Sequence, residues 1–480
     1  MEEYKFEQRN NHYKIAFVSD FFYPKLGGVE MHQYQLAQCL QKLGHKVIII
    51  TNCKQGRQGV RYLGDGLKVY NCPIVEFFHG VSLPAMFLRL PLFRNIFIRE
   101  KIDIVHGHQL SSMLMYDVFE VAKALGKKCI FTDHSLFNFI APENHITNKL
   151  LKSFVCHLDA AICVSHVGKE NFSLRTRNDP KKVYVINNAV NTRNFRPKEK
   201  NEVLDFPPNF EEKEGVLNII MIGRLVKRKG IELSLKIIPR ICQKYPNINF
   251  IIGGSGYGVQ DLEDMRDKYL LNGRITFLGD VPNHKVRDVL CRGKIFLNTS
   301  LTEAFCITIL EAASCGLFVV STNVGGIPEV LPPDMVYLTD PNVDKLCEKL
   351  DLAIQNIDSI DEEANHKVIK SLYSWKPVAK KTEKVYEEVM NTPSLCLGDM
   401  FKLTFSGGWL QGLLCCMKFC LLIFIAWVAE YIQPEADIDP AVDFPVKEYI
   451  SNKEKYGDHE FIFDTREDSL MMKKYPHKKD

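Results

Sequence analysis

The chain lacks an apolar leader, paired cysteines and a strong excess of charge of either sign. The first residues, MEEYKFEQRNNHYK, are polar, so we expect no cleavable signal peptide. The 15 cysteines include no CxxC pair, which argues against zinc and favours reduced thiols facing the cytosol. A net charge of +3 gives no electrostatic reason to expect binding to nucleic acid. With 480 residues, the chain has room for two or three domains.

The central motif covers residues 298–329 and contains two glutamates, Glu303 and Glu311, separated by seven residues. The flanking runs KIFLNTS and FVVST predict buried strands, and the sequence between them predicts a helix over residues 304–316. The two carboxylates would then lie about 12 Å apart along the helix axis. Carboxylates accept hydrogen bonds from hydroxyls, so a sugar or a ribose is the natural ligand. Two solvated glutamates are the alternative, against which the small residues after Glu311 argue.

Alternating apolar and amphipathic runs over residues 14–190 predict strands and helices of a parallel, doubly wound α/β sheet. Gly27 and Gly28 follow the first strand and precede a helix, so backbone N–H groups there can meet a phosphate. Ligands of such sheets bind beyond the carboxyl ends of the strands. A single histidine at that edge is more often a turn or core residue than a catalytic one. The polar residues predicted there include His106, His108, His134 and Ser165.

A charged, proline-bearing segment, residues 197–216, precedes a second alternating half of the chain. Its first strand ends before Arg224, and a basic turn through Lys229 leads into a helix. Positive charge at such a turn suits a diphosphate, although a solvated basic turn is the alternative. The run INFIIGGSGYG, which contains Gly254, repeats the strand-to-glycine pattern, and ITFLGDV, which ends at Val281, adds another strand and turn.

Two runs of the central motif, EAFCITILEAASCG and VSTNVGGIPEV, resemble the signature of retaining glycosyltransferases of the GT-B type. The resemblance implies two doubly wound Rossmann-like domains that face a cleft. It implies that Glu303 binds hydroxyls of the donor sugar and that Glu311 binds the ribose of the nucleotide. Residues 186–191 resemble the segment that joins the two domains in this family. Asn188 departs from the family pattern, which usually has proline at this position.

The resemblance also assigns roles to other positions. It implies that Arg224 and Lys229 stabilise the diphosphate and that His134, in the run FTDHSLF, faces the transferred sugar. These three residues and Glu303 are the expected catalytic group, and Tyr23 joins His134 on the acceptor side. The positions that match the donor-binding pattern are Gly27, Gly28, Arg224, Lys229, Gly254, Val281, Glu303, Ala304, Phe305 and Glu311.

The runs SDFFYPKLGGVE, FTDHSLF, GRLVKRKGI and NTSLTEAFC, in this order and with one C-terminal anchor, are most similar to one group within that type. Members of that group transfer N-acetylglucosamine from UDP-GlcNAc to phosphatidylinositol with retention, in GPI-anchor synthesis at the endoplasmic reticulum membrane, together with other subunits. The resemblance implies no metal and no cofactor, and no Asp-x-Asp is placed to hold a metal on the diphosphate. Two alternatives stay open: a related transferase that uses another nucleotide sugar, such as GDP-mannose, and a non-catalytic GT-B scaffold.

The run WLQGLLCCMKFCLLIFIAWVA predicts a membrane span, because it would extend about 31 Å as a helix. Lys418 interrupts it, and a buried or membrane-surface helix is the alternative. We therefore predict an N-terminal acceptor domain over residues 13–196, a linker over 197–216, a donor-nucleotide domain over 217–374, a helix over 375–392 that crosses back to the first domain, a transmembrane helix over 409–429 and a polar tail over 430–480.

The charges around the predicted span indicate its orientation. Lysines, including Lys402, precede the span, whereas a run of acidic residues from Glu430 follows it. Because the basic side of a span faces the cytosol, we expect the catalytic region in the cytosol and the tail in the lumen.

A second membrane contact is predicted for residues 84–100, where large apolar residues are mixed with arginines. Such a composition is typical of helices at a membrane surface, and an ordinary half-buried helix explains it equally well. On the first interpretation Arg89 and Arg94 would meet the lipid acceptor.

Overall fold

The computed structural model describes residues 12–442 except for gaps at 25–26, 55–56, 64–65, 79, 84, 137–147, 149–150, 153, 155–157, 177, 206, 208–213 and 406–407. The chain forms two units in this range. The first contains the residues up to Ile186 and those from Lys376 onward, and the second contains Asn187–Trp375. The division therefore falls after Ile186 rather than at the predicted residue 196.

An eight-stranded sheet lies at the centre of the first unit. The strands of this unit, within the described residues, are β1 (Lys14–Val18), β2 (Lys46–Asn52), β3 (Gly59–Leu63), β4 (Leu67–Cys72), β5 (Glu76–Phe78), β6 (Val81–Ser82), β7 (Ile104–His108), β8 (Lys128–Asp133), β9 (Ala160–Cys163) and β10 (Val183–Val185). The sheet order is β10-β9-β8-β7-β1-β2-β4-β3, and β5 and β6 form a separate hairpin. All neighbours in the large sheet are parallel except β3 and β4.

A six-stranded, wholly parallel sheet forms the centre of the second unit. Its strands are β11 (Leu217–Ile222), β12 (Ile248–Gly253), β13 (Ile275–Gly279), β14 (Ile295–Asn298), β15 (Phe318–Thr322) and β16 (Val336–Thr339). In the order β13-β12-β11-β14-β15-β16 the strand numbers fall as far as β11 and rise from β14 onward, so the order in which the chain adds strands reverses between β11 and β14. Such a switch point is where doubly wound sheets bind ligands, beyond the carboxyl ends of the strands.

Helices connect these strands in both units. Within the described residues they are α1 (Gly28–Lys42), α2 (Leu90–Glu100), α3 (Met113–Ala124), α4 (His166–Thr176), α5 (Ile231–Lys244), α6 (Val259–Lys268), α7 (Val286–Leu290), α8 (Ile307–Ser314), α9 (Val343–Gln355), α10 (Glu362–Leu372), α11 (Trp375–Asn391), α12 (Leu397–Phe405) and α13 (Trp409–Ile432).

Helix α1 shows how the sequence positions these elements. Leu36 and Leu40 lie one turn apart and are buried, so the apolar face of the helix packs on the sheet. Gly44 follows the helix with a φ of +96°, a conformation that glycine adopts without strain, and turns the chain into β2. The same periodicity predicted both the helix and its end.

The segment predicted as a linker is attached to the second unit at its start. Two nitrogens of Arg287, in α7, donate to the carboxylate of Glu202 at 2.6 and 2.7 Å. This hydrogen-bonded pair lowers the pKa of Glu202 to about 2. Leu204 is buried as well. Residues 197–204 are therefore held against the domain, because a bidentate guanidinium–carboxylate pair fixes the backbone that carries it.

Helix α13 contains the predicted membrane span, and among the described residues it is the helix that is long and apolar enough to cross a membrane. One of its faces packs on α2 and α3, and there Leu422 and Ala426 join the core of the first unit. Lys418 lies on this inner face and donates to Glu120 of α3 at 2.7 Å. The outer face exposes apolar side chains, which include Leu410, Leu414, Met417, Leu421, Phe424 and Trp427.

The helix over residues 84–100 differs from the sequence interpretation. Arg94 is only 2% exposed and pairs with Glu430 of α13. Arg89 donates to the carboxylate of Asp117 at 2.9 Å. A guanidinium at such depth is stable only beside a carboxylate, and both side chains turn inward to reach one. Arg94 is therefore buried instead of lying at a membrane surface, and the role of Arg89 and Arg94 at the acceptor stays a prediction.

Candidate active site

Glu303 and Lys229, which are 74 residues apart in the sequence, form an ion pair at the switch point of the second sheet. Nζ of Lys229 lies 2.5 Å from Oε1 of Glu303, and the hydroxyl of Ser300 donates to the same oxygen at 3.1 Å. The Lys229 and Glu303 side chains are 20% and 14% exposed, so both can be reached by a ligand. The structure thus brings together two of the residues predicted to be catalytic.

The ion pair depends on a close contact between two loops. Gly230 is the N-cap of α5 and has a φ of +75°, and a Cβ at this position would lie 1.8 Å from the carbonyl oxygen of Thr299. The hydroxyl of Thr299 donates to the carbonyl oxygen of Lys229 at 2.9 Å. The backbone N–H of Leu301 donates to the carbonyl oxygen of Arg228 at 2.9 Å. Only glycine permits this approach, and the approach sets Lys229 beside the loop of Glu303.

We expect Gly230→Ala to destabilise the second unit by about 2–4 kcal/mol, because a backbone clash adds to the strain of a left-handed alanine. Gly215→Ala is the matched control, since Gly215 has the same φ of +75° but has open space around it. That variant should lose about 1 kcal/mol. Thermal unfolding measures both losses, and equal losses would show that the contact with Thr299 does not constrain the loop.

The charge of Lys229 is maintained by its surroundings. Burial acts to lower the pKa of Lys229, but the negative charges that the Cys306 thiolate and the Glu303 carboxylate carry at the high pH where Lys229 titrates outweigh it, so the pKa is raised. Burial raises the pKa of the Cys306 thiol to about 11, so the thiol is protonated at neutral pH. The site therefore presents an ammonium group beside a carboxylate, which together can bind phosphate oxygens and sugar hydroxyls.

The segment after Glu303 is not helical at first, whereas the sequence predicted a helix from Ala304. Cys306 has a φ of +71°, and α8 begins at Ile307 rather than at Ala304. The carbonyl oxygen of Glu303 accepts from the backbone N–H of Gly326 at 2.9 Å, so the glycine turn after β15 holds this segment. The hydrogen bond from Gly326 therefore takes the place of the first turn of the predicted helix. The predicted donor residues Ala304 and Phe305 are buried beneath it.

Glu311 lies inside α8, among the buried residues Ala312 and Ala313. Within the described part of the chain its carboxyl forms no ion pair or hydrogen bond with another side chain. Desolvation raises the pKa of Glu311 to about 7. A carboxyl group with a raised pKa and no protein partner is a typical ligand-binding group.

Gly254 follows β12, and Val281 lies just after β13, where a Cβ on Gly253 would be 2.9 Å from a methyl group of Val281. The backbone N–H of Gly254 donates to the carbonyl oxygen of Gly279 at 2.6 Å. Gly254 has a φ of +129°, and a Cβ there would lie 1.9 Å from the carbonyl oxygen of Gly223. Arg224, the next residue, is exposed. The predicted donor residues of the second unit therefore lie on one edge of its sheet.

The predicted residues of the first unit lie around its own switch point, between β1 and β7. Gly27 is the N-cap of α1 and Gly28 its first residue, as the sequence predicted. Tyr23 is buried, with the guanidinium of Arg57 4.7 Å from its ring centroid. His134 follows β8 at the same edge of the sheet.

His134 belongs to a group of histidines. Its Nε2 lies 3.3 Å from Nδ1 of His108. The ring of His32 lies 4.6 Å from that of His134, measured between centroids. Burial lowers the pKa values of His108 and His134 well below the ordinary value for histidine. The sequence interpretation missed His32, although its place one turn after Gly28 put it at the ligand-binding edge.

The fold and the two loops of the second unit define the class of this protein. Residues 204–374 match the family of group 1 glycosyltransferases, and residues 52–141 match the family described as PIGA (GPI anchor biosynthesis). The fold is similar to that of HepE from Anabaena in complex with UDP and glucose, with a TM-score of 0.62 and 15% identity over 78% of this chain and 100% of that one. Sucrose-phosphate synthase from Thermosynechococcus elongatus has a TM-score of 0.63 and 17% identity over 79% of this chain and 99% of that one. The protein is a glycosyltransferase of the GT-B type.

More similar relatives narrow the class to one family. A phosphatidylinositol N-acetylglucosaminyltransferase subunit from Arabidopsis thaliana is 44% identical over 90% of this chain and 94% of its own length. The subunit of the same name from Homo sapiens is 44% identical over 91% of this chain and 88% of its own. The gpi3 subunit of Schizosaccharomyces pombe is 43% identical over 94% and 97%. This chain belongs to the PIGA family of phosphatidylinositol N-acetylglucosaminyltransferase subunits.

Proposed function

We propose that this chain transfers N-acetylglucosamine from UDP-GlcNAc to phosphatidylinositol and that the anomeric configuration of the sugar is retained. The observation that carries the proposal is the pairing of Lys229 with Glu303 at the switch point of the second sheet. The names of the relatives supply the transferred sugar and the lipid acceptor. Retention comes from the resemblance of the central motif to retaining GT-B enzymes.

Each charged group has a defined role in this mechanism. The carboxylate of Glu303 accepts hydrogen bonds from hydroxyls of the donor sugar, and Glu311 accepts them from the ribose. Lys229 and Arg224 stabilise the negative charge that grows on the diphosphate as the bond to the sugar breaks. The leaving phosphate oxygen takes the proton of the inositol hydroxyl, which attacks the same face of the sugar.

Membranes that contain the protein, supplied with labelled UDP-GlcNAc and phosphatidylinositol, test the proposal. We expect label in a glycolipid that an α-specific N-acetylglucosaminidase removes, because retention preserves the α configuration of the donor. An excess of unlabelled GDP-mannose should leave the incorporation unchanged. Transfer of mannose instead would support the alternative donor, and no transfer at all would support the non-catalytic scaffold.

Glu311→Gln tests the predicted ribose contact. We expect the variant to bind UDP more weakly by about 1–3 kcal/mol, because a neutral amide replaces a charge-assisted acceptor. The raised pKa of about 7 adds a pH dependence. The carboxyl is ionised above this pKa and protonated below it, so the affinity of the native protein should fall as the pH drops from about 8 to about 6.

Titration of UDP by calorimetry at both pH values measures this difference. Glutamine does not titrate, so the affinity of the variant should change less with pH than that of the native protein. The phosphates of UDP titrate equally in both experiments and cancel in the comparison. Equal affinity and equal pH dependence of the two proteins would remove Glu311 from the site.

We further propose that the protein acts at the endoplasmic reticulum membrane, with other subunits and with its catalytic units in the cytosol. The exposed apolar face of α13 supports attachment to the membrane, since water contact with so many apolar side chains is unfavourable. The cysteines of the described residues are free thiols, which supports the cytosolic orientation because reduced thiols are typical of cytosolic proteins.

Protease treatment of intact microsomes checks the orientation. We expect both units to be digested and the chain to resist extraction by carbonate before digestion. Asn171 lies in the sequon Asn171-Phe172-Ser173, which gives a second test. A glycan on Asn171, or a protected amino-terminal region, would place the catalytic units in the lumen.

A further inference from the structure

Three histidines of the first unit converge on one point. His32 lies in the first turns of α1, His108 ends β7, and His134 follows β8. One nitrogen of each ring lies within 4.8 Å of one nitrogen of each of the other two rings. They meet beside the switch point between β1 and β7, at the edge where doubly wound sheets bind ligands.

The spacing of the ring nitrogens suits a tetrahedral metal ion. Nδ1 of His108 lies 3.3 Å from Nε2 of His134. Two nitrogens bound to one Zn²⁺ at ordinary bond lengths and a tetrahedral angle lie about 3.3 Å apart. The ring of His32 stands 4.6 Å from that of His134 and 5.7 Å from that of His108, between centroids. A nitrogen of His32 lies within 4.8 Å of the other two and would have to move closer to bind the same ion.

Hydrogen bonding distinguishes this cluster from histidines that only support the fold. His106, which stacks on His108, has both nitrogens engaged, at 2.7 Å from the Tyr386 hydroxyl and 2.7 Å from the Thr132 hydroxyl. His108 is 0% exposed, and its Nδ1 faces Nε2 of His134 rather than a hydroxyl, while its other nitrogen, Nε2, has no hydrogen-bond partner among the described residues. The nitrogens of His108 are thus not engaged by hydroxyl groups as those of His106 are, which leaves Nδ1 of His108 and Nε2 of His134 available to a shared metal ion.

The chemistry of the donors selects the ion. Neutral imidazoles bind late first-row divalent cations such as Zn²⁺, whereas Mg²⁺ and Ca²⁺ prefer oxygen ligands. Three protein ligands leave a fourth tetrahedral position open to solvent or to a substrate hydroxyl. We propose that His32, His108 and His134 form a Zn²⁺-binding site and that Zn²⁺ bound there inhibits sugar transfer. The inhibition rests on the proposed function, because it assumes that His134 meets the transferred sugar, whereas the binding does not.

Titration of Zn²⁺ against a chromophoric chelator, with the purified full chain in detergent, tests the binding. We expect one equivalent of Zn²⁺ to bind the native protein at least tenfold more tightly than the double variant His32→Gln/His134→Gln. The wholly buried His108 is left unchanged so that the variant folds, and thermal unfolding without metal checks this. The control His166→Gln, at an exposed histidine, should bind like the native protein. Equal affinity of the native protein and the double variant would overturn the site.

Co²⁺ gives a spectroscopic test of the geometry, because a tetrahedral site with nitrogen ligands produces strong visible absorption. We expect this absorption in the native protein and its loss in the double variant. Zn²⁺ added to the active complex should slow the transfer, and excess EDTA should restore it. Binding without inhibition would contradict the assigned role of His134 and leave the metal site standing. Absence of binding would overturn the metal site and leave the proposed transfer standing.

Discussion

Glu303→Gln should lower the rate of sugar transfer by about 100-fold or more, the loss typical when one polar contact to a transition state is removed. The substitution keeps the size of the side chain but removes the charge that pairs with Lys229 and that, in the proposed mechanism, accepts hydrogen bonds from sugar hydroxyls. Because the contact strengthens as the glycosidic bond breaks, turnover should fall more than donor affinity. Single-turnover transfer of labelled sugar and calorimetric binding of UDP-GlcNAc measure the two quantities separately.

Glu232→Gln is the matched control for this variant. Glu232 is a glutamate of the same unit that also pairs with a lysine, Lys227, but its side chain is 67% exposed. Loss of an exposed pair changes stability by about 0–1 kcal/mol, so transfer should stay near the native rate. Native activity in Glu303→Gln, or an equal loss in both variants, would remove Glu303 from the catalytic group.

Arg224→Ala and Lys229→Gln should each slow transfer by about 100-fold while they weaken donor binding less. Both cations are expected to meet the diphosphate, and their stabilisation grows as the leaving group gains charge. Lys229→Gln also leaves Glu303 without its ion-pair partner. The double variant Lys229→Gln/Glu303→Gln should therefore lose less activity than the sum of the two single losses in free energy.

The control lies two residues away in the same turn. Lys227 is 71% exposed and pairs with Glu232, so Lys227→Ala should leave transfer unchanged. EDTA should leave the native rate intact as well, because in the proposed mechanism Arg224 and Lys229 supply the positive charge at the diphosphate. A strict requirement for Mn²⁺ or Mg²⁺ would contradict this assignment, as would full activity of Lys229→Gln.

Much of the fold followed from local patterns. The apolar run before Gly27 and the leucines of α1 predicted a strand, a loop and a helix, and the structure has all three. The same reasoning failed where a distant contact overrides local preference. Ala304 was predicted to start a helix, but the Glu303 carbonyl is bound to the turn at Gly326, and the helix begins later.

For the candidate site, too, the sequence predicted some features and could not predict others. Glu303 and Lys229 could be singled out because their motifs are local, but their ion pair could not be predicted, since no local rule relates residues 74 positions apart. The spacing of the cysteines argued against a zinc site made of thiolates. It gave no information about a site made of histidines from three separate elements of secondary structure. His32, His108 and His134 meet only because β1, β7 and β8 are neighbours in the sheet.

The sequence by itself determined that this protein has two doubly wound units and, within the described residues, one helix long and apolar enough to cross a membrane, because periodicity and turn residues act over a few positions. The tertiary structure alone decided which charges meet. Arg94 became a buried partner of Glu430 instead of a surface cation, and Lys418 found Glu120 inside the helix interface. A buried charge requires an opposite one at contact distance, and only the packing of distant elements determines where that partner lies.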